Sequence, residues 1–144
     1  IIMAFKVKES KNEVDVNASL GSEKYITTIT SNGKQIIGDE PEHLGGKNTG
    51  FNPYEFLGSA LSMCTAATLR VYAERKEIDL GEINVSVNLS NNTIDKVATF
   101  TKHISFGNKD LDEKDIKRLQ VIAESCPVNR LLTNQIIVNT NIDL

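Results

Sequence analysis

The stretch FNPYEFLGSALSMCTAATLRVYAERK, Phe51 to Lys76, decides the fold. It opens on a helix start: Asn52 as the cap, Pro53 at the first helical position, and Glu55 placed to reach back to the cap's own N–H. From Phe56 to Leu69, fourteen residues pass without a charge, and charge returns at Arg70. A helix from Pro53 to about Lys76 is roughly 36 Å long at a rise of 1.5 Å per residue. A helix lying on one sheet needs a single apolar stripe. This one is apolar or small on every face, which predicts a helix enclosed on most sides. A chain of 144 residues with two hairpins is short for that enclosure, which implies a second subunit related by two-fold symmetry. The uncharged run is too short to cross a bilayer, which takes about 20 residues.

Outward from this helix, the pattern changes to period two. Phe5, Val7 and then Val14, Val16, Ala18 and Leu20 alternate with polar residues around a turn at Lys11–Glu13, predicting a hairpin. Tyr25 to Thr30 is rich in β-branched residues, and Asn32-Gly33 is the pair favoured in a two-residue type I′ turn before Gln35 to Gly38. Asp39 to Gly50 is polar, aperiodic and glycine-rich, a loop of a length that is often functional. Beyond the helix, Ile83, Val85, Val87 and Leu89 alternate, Asn91–Thr93 turns the chain, and Val97 to Phe106 forms a partner strand. Asp112 caps a second helix, amphipathic through Ile116, Leu119, Ile122 and Ala123 and ending near Ser125. Gln135 to Ile142 alternates again and reads as a closing strand. The fold class is α+β with mainly antiparallel sheet, in a single domain over residues 1–144.

Composition narrows the function. The net charge is −3, and the 16 Lys and Arg residues are scattered, with no basic run to neutralise phosphates, so nucleic acid is not an expected partner. Arg70 and Arg75 read as a solvated helix end. The first ten residues carry no charged leader followed by an apolar core, so no membrane is expected and a cytoplasmic location is.

There are two cysteines. Cys64 lies mid-helix beside Ser62, Thr65 and Ala66, which leave room around a sulfur; taken alone it reads as a packed core residue. Cys126 precedes Pro127, which ends the second helix and opens a short third one over Pro127 to about Thr133. It therefore stands at a helix N-terminus, where unpaired N–H groups stabilise a thiolate. The two lie 62 residues apart, which excludes a C-x-x-C motif. A bridge between them in a reducing cytosol is redox-active rather than structural. A metal site from Cys64, Cys126, His43 and His103 lacks the short-range ligand pairs of zinc sites.

In DEPEHLGGKNTGFNPYEFLGSALSMCTAATLRVYAERK and IAESCPVNRLLTNQI the chain resembles the superfamily of osmotically inducible protein C (OsmC) and organic hydroperoxide resistance (Ohr) proteins. The specific feature is N-P-x-E, eight residues, Cys, and then C-P-V far downstream. The resemblance implies the OsmC-like fold: an intertwined homodimer, antiparallel sheets around long central helices, and active sites at the subunit interface. It also implies a cysteine-based peroxidase of the oxidative stress response, an oxidoreductase acting on organic hydroperoxides. In it Cys64 is peroxidatic, Cys126 is resolving, and Glu55 matches an acid found in some branches. A Cys64 sulfenic acid would condense with Cys126 to a disulfide, which a dithiol reductant then opens, with no cofactor and no metal.

Two positions depart from that pattern. Relatives hold the thiolate with an Arg from the N-terminal strands, and here no Arg precedes Arg70. The position before Glu55, acidic in the best-studied of these peroxidases, is Tyr54. His43, Lys47 and Arg130 are the candidate replacements for the cation. The alternative function is a non-enzymatic redox sensor or apolar-ligand binding module on the same fold. A hot-dog thioesterase would continue with strands where Asp112 to Ser125 reads as helix.

Overall fold

The computed structural model describes residues 12–143. The expected strand at Phe5 and Val7 lies outside the described residues. Five strands and three helices follow: β1 Asn17–Leu20, β2 Thr27–Ser31, β3 Lys34–Gly38, α1 Pro53–Arg75, β4 Ile83–Asn92, β5 Val97–Phe106, α2 Glu113–Ala123 and α3 Pro127–Thr133. The fold is α+β. One sheet has the order β1-β2-β3 and is antiparallel throughout, and β4 pairs with β5 in a two-stranded sheet. Among the described residues no helix is long and apolar enough to cross a membrane.

The chain divides into two compact units. The first comprises residues 60–88 and 101–143 of the described chain, and the second residues 12–59 and 89–100. The core of the first is Leu69, Tyr72 and Ala73 of α1, Leu80 of the following loop, and Leu119, Ile122 and Ala123 of α2. Leu69 and Leu80 are wholly buried, each contributing about 1.5–3 kcal/mol of transfer free energy. The amphipathic reading of α2 holds, with Asp112 as cap accepting the Asp115 N–H at 2.8 Å. Ile116, although in phase with that stripe, is exposed.

In the second unit, β2 and β3 meet through Asn32 and Gly33, at φ 48° and 75°. Both angles are positive, as a type I′ turn requires, and glycine takes the second without steric cost. The loop after β3 is closed on Asp39, whose buried carboxylate accepts from the N–H groups of Glu40, Lys47 and Thr49 and from the Thr49 hydroxyl. These bonds, the Thr49 hydroxyl foremost, hold its pKa below the ordinary carboxylate value. A Cβ at Gly46 would collide with the Glu40 carbonyl, so the loop's glycine there is a packing requirement.

α1 begins and ends as its sequence predicts. Glu55 accepts the Asn52 N–H and Asn52 accepts the Glu55 N–H, both at 2.9 Å. At the far end Glu77 is left-handed at φ 56°, its N–H bonds Glu74, and Ile78 N–H bonds Ala73, a Schellman closure without glycine. The uncharged run is not enclosed by its own chain. Leu61, Thr65, Thr68 and Leu69 are buried, whereas Leu57 and Met63 stand exposed, Met63 by 77%.

The closing strand does not form. Residues 135–143 carry no secondary structure, and Ile136, Ile137, Val138 and Ile142 are exposed. Alternation describes two faces of a strand, but a strand also needs a ladder partner, and none pairs with this segment among the described residues.

Candidate active site

The two cysteines meet in the first unit. Cys64 projects from α1, half-buried, and Cys126 is the N-cap of α3, wholly buried; both are free thiols, near enough for Cys126 to act on the Cys64 pKa. Local chemistry brings them there. Pro127 holds Cys126 extended, at φ −66° and ψ 147°, so its side chain folds back over the first turn of α3. Pro127 has no N–H to offer. Of the next two donors, the Asn129 N–H bonds Cys126 at 3.3 Å, and the Val128 N–H acts on the Cys64 sulfur, lowering its pKa. The first intrahelical bond follows, from Arg130 N–H to the Cys126 carbonyl.

Burial, first of all, pushes the Cys64 thiol up from its ordinary pKa. The charge and hydrogen bond of Cys126 act in the same direction, and the Val128 N–H pulls it down. Thr68 also pulls weakly downward, although its fully buried hydroxyl reaches no partner at hydrogen-bonding geometry among the described residues.

A cation stands at this pair that sequence reasoning passed over. Lys102, on β5, donates from Nζ to the Thr65 hydroxyl at 3.2 Å and to the Ala123 carbonyl at 2.8 Å. Thr65 Oγ1 lies 3.5 Å from Cys126 Sγ. Burial lowers the Lys102 pKa, and the charges of Cys126, Glu124 and Cys64 oppose that shift. The signal was present in the strand pattern. Lys102, Ile104 and Phe106 share the half-buried face of β5 while Thr101, His103 and Ser105 face out, so one lysine occupies an apolar register.

The other candidates have different partners. Glu55 is engaged in the α1 capping box. Lys47 pairs loosely with Glu23 at 3.9 Å, both side chains exposed, and its N–H serves Asp39. His43 lies in a 3-10 turn at Glu42–Leu44 of the same loop. Arg130 is an exposed residue of α3, and Arg70 donates to the Gly81 carbonyl at 2.7 Å. Tyr54 accepts a hydrogen bond from the Asn91 amide at 2.9 Å. Among the described residues, no three His, Cys, Asp or Glu side chains gather where they could hold a metal ion.

An α+β chain with a capped long helix, and a pair of thiols, one half-buried and one buried, between that helix and the start of a short one, defines a class of thiol-bearing folds. Within that class, the chain belongs to the family of OsmC-like proteins, whose family model matches residues 46–141. Solved structures agree in fold. An OsmC-like protein from Mycoplasma pneumoniae is 26% identical, at a TM-score of 0.67 over 85% of this chain and 89% of that one. An organic hydroperoxide resistance protein OsmC from Legionella pneumophila is 18% identical, at 0.66 over 87% and 92%. The organic hydroperoxide resistance protein OhrB of Bacillus subtilis is 23% identical, at 0.58 over 85% and 91%. No curated protein matches the chain.

Proposed function

We propose that this chain is a dithiol peroxidase that reduces organic hydroperoxides, with Cys64 peroxidatic and Cys126 resolving. The observation that carries the reading is the nearness of the two free thiols, with the Asn129 N–H bonded to Cys126 and the Val128 N–H acting on Cys64. In the first step the Cys64 thiolate attacks a peroxide oxygen, the O–O bond breaks, and the alkoxide leaves as alcohol after taking a proton. Cys64 is left as a sulfenic acid. The Cys126 thiolate then attacks the Cys64 sulfur, and hydroxide leaves as water to give the disulfide. A dithiol reductant returns both sulfurs to thiols and is itself oxidised. The unpartnered Thr68 hydroxyl is suited to donate to the oxygen carried on Cys64. Glu55 is assigned a positioning role, holding the start of the helix that bears Cys64.

The organic hydroperoxide resistance proteins among the similar structures support this substrate class. We read residues 1–144 as one domain, supported by a family match that runs through both units. We also read the protein as cytoplasmic and as a homodimer, the homodimer supported by the exposed apolar residues Leu57 and Met63 in the uncharged run of α1.

Consumption of cumene hydroperoxide with a dithiol reductant tests the catalytic assignment. Cys64→Ser is expected to abolish it, and wild-type turnover in that variant would overturn the assignment. A second reading, a non-enzymatic module for an apolar ligand, is favoured by one observation. A cavity of about 690 Å³ lies in the second unit, lined by Val16, Ala18, Ile29, Phe51 and Phe56 among others. A wild-type protein that carries an apolar ligand and leaves hydroperoxide untouched would establish that reading instead.

A further inference from the structure

Lys102 is out of place as a structural residue. Its half-buried ammonium has no carboxylate within ion-pair distance among the described residues, Glu124 acting on it only from further off, and removing an ammonium from water without a close counter-charge is costly. Its bond to Ala123 satisfies one carbonyl at the end of α2. Its second bond goes to a hydroxyl that faces sulfur.

The hydrogens at that hydroxyl can be counted. Thr65 has one, which it donates to the Leu61 carbonyl at 2.8 Å in the reduced pair. Its two lone pairs then face Lys102 Nζ and the Cys126 thiol. When Cys126 ionises, the hydroxyl can turn its hydrogen to the sulfur while Lys102 continues to donate to its oxygen. The ammonium polarises the O–H, and the O–H holds the thiolate. Two donors then converge on Cys126: the Thr65 hydroxyl and the Asn129 N–H.

We propose that Lys102 is the cation of the cysteine pair and acts through Thr65 to hold the pair's negative charge on Cys126. This rests on the reading of Cys64 and Cys126 as a redox dithiol. It carries a directional consequence. Thiol–disulfide exchange proceeds faster when the leaving sulfur is the better-stabilised thiolate. An incoming reductant thiolate therefore attacks Cys64 Sγ, the S–S bond breaks, and Cys126 departs with the electron pair, stabilised by the Thr65–Lys102 relay. The product is a mixed disulfide between Cys64 and the reductant. Its second thiol displaces Cys64, which leaves as a thiolate and takes a proton. Lys102 is thus a positioning residue that acts through Thr65 on the reacting sulfur. The chain meets its need for a cation from β5, without an arginine in the N-terminal strands.

The test is a titration of the thiolate by its ultraviolet absorbance, which uses no peroxide. In the Cys64→Ser protein, where only Cys126 titrates, Lys102→Met is expected to move ionisation up by about one pH unit or more. Lys102→Arg restores it. Thr65→Val moves it in the same direction while keeping the Lys102–Ala123 bond, and decides the matter if Lys102→Met does not fold. A titration unchanged in these variants overturns the proposal. In the disulfide form of the wild type, a monothiol reductant is expected to be trapped on Cys64; trapping on Cys126 overturns it equally. If the titration moves while Cys64→Ser retains peroxidase turnover, the peroxidase reading fails and the role of Lys102 stands. If turnover depends on Cys64 and the titration does not move, the role of Lys102 alone fails.

Discussion

Cys126 is wholly buried and Cys64 half-buried, so in the proposed reaction a hydroperoxide meets Cys64 first. Burial raises the Cys64 pKa, which makes its thiolate scarce at neutral pH unless the proton has somewhere to go. The division of labour predicts a distinct fate for each single variant. Cys126→Ser is expected to stop after one burst, with the Cys64 sulfenic acid trapped by dimedone and seen by mass spectrometry. Absence of the trapped adduct after stoichiometric hydroperoxide would argue against Cys64 as the attacking sulfur. The Thr68 hydroxyl sharpens the same point. Leaving a buried hydroxyl unpaired costs about 1–3 kcal/mol, a cost that a polar atom arriving on Cys64 would relieve.

Among the elements, α1 was the most legible in sequence, because its signals are local: a cap, a proline and an acid within four residues fix one end. Glu55→Ala is expected to destabilise the protein by about 0.5–1 kcal/mol in urea unfolding, with Glu55→Gln nearly neutral because glutamine can also complete the box. Peroxidase turnover that falls in Glu55→Gln without a stability change would assign the carboxylate charge a role beyond capping. α3 was equally legible, since Cys126-Pro127 forces an extended residue before a helix start. The cation at the pair was not. Lys102 lies 37 residues from Thr65, and no local rule connects β5 to α1; only its lone place on the apolar register of β5 marked it. Gln135–Ile142 failed for the opposite reason. Its alternation is real, but periodicity reports a face and says nothing of a partner.

For the whole molecule, the uncharged helix sets the expectation. An apolar residue as exposed as Met63, at 77%, is unusual on a helix whose neighbours Leu61 and Thr65 are buried. The homodimer reading predicts a sedimentation-equilibrium mass of twice the 15.9 kDa chain, and a shift toward one chain in Met63→Asp. A wild-type mass of a single chain would remove the dimer from the proposal. α3 adds a consequence of its own. Pro127 leaves this helix two donors in its first turn beyond the cap; the Asn129 N–H is bonded to Cys126, and the Val128 N–H acts on Cys64. Oxidation or alkylation of either thiol is therefore also a change in how α3 begins. The conformational free energy of that turn and the electron affinity of the dithiol are linked quantities: whatever frays the first turn of α3 also moves the midpoint potential of the pair.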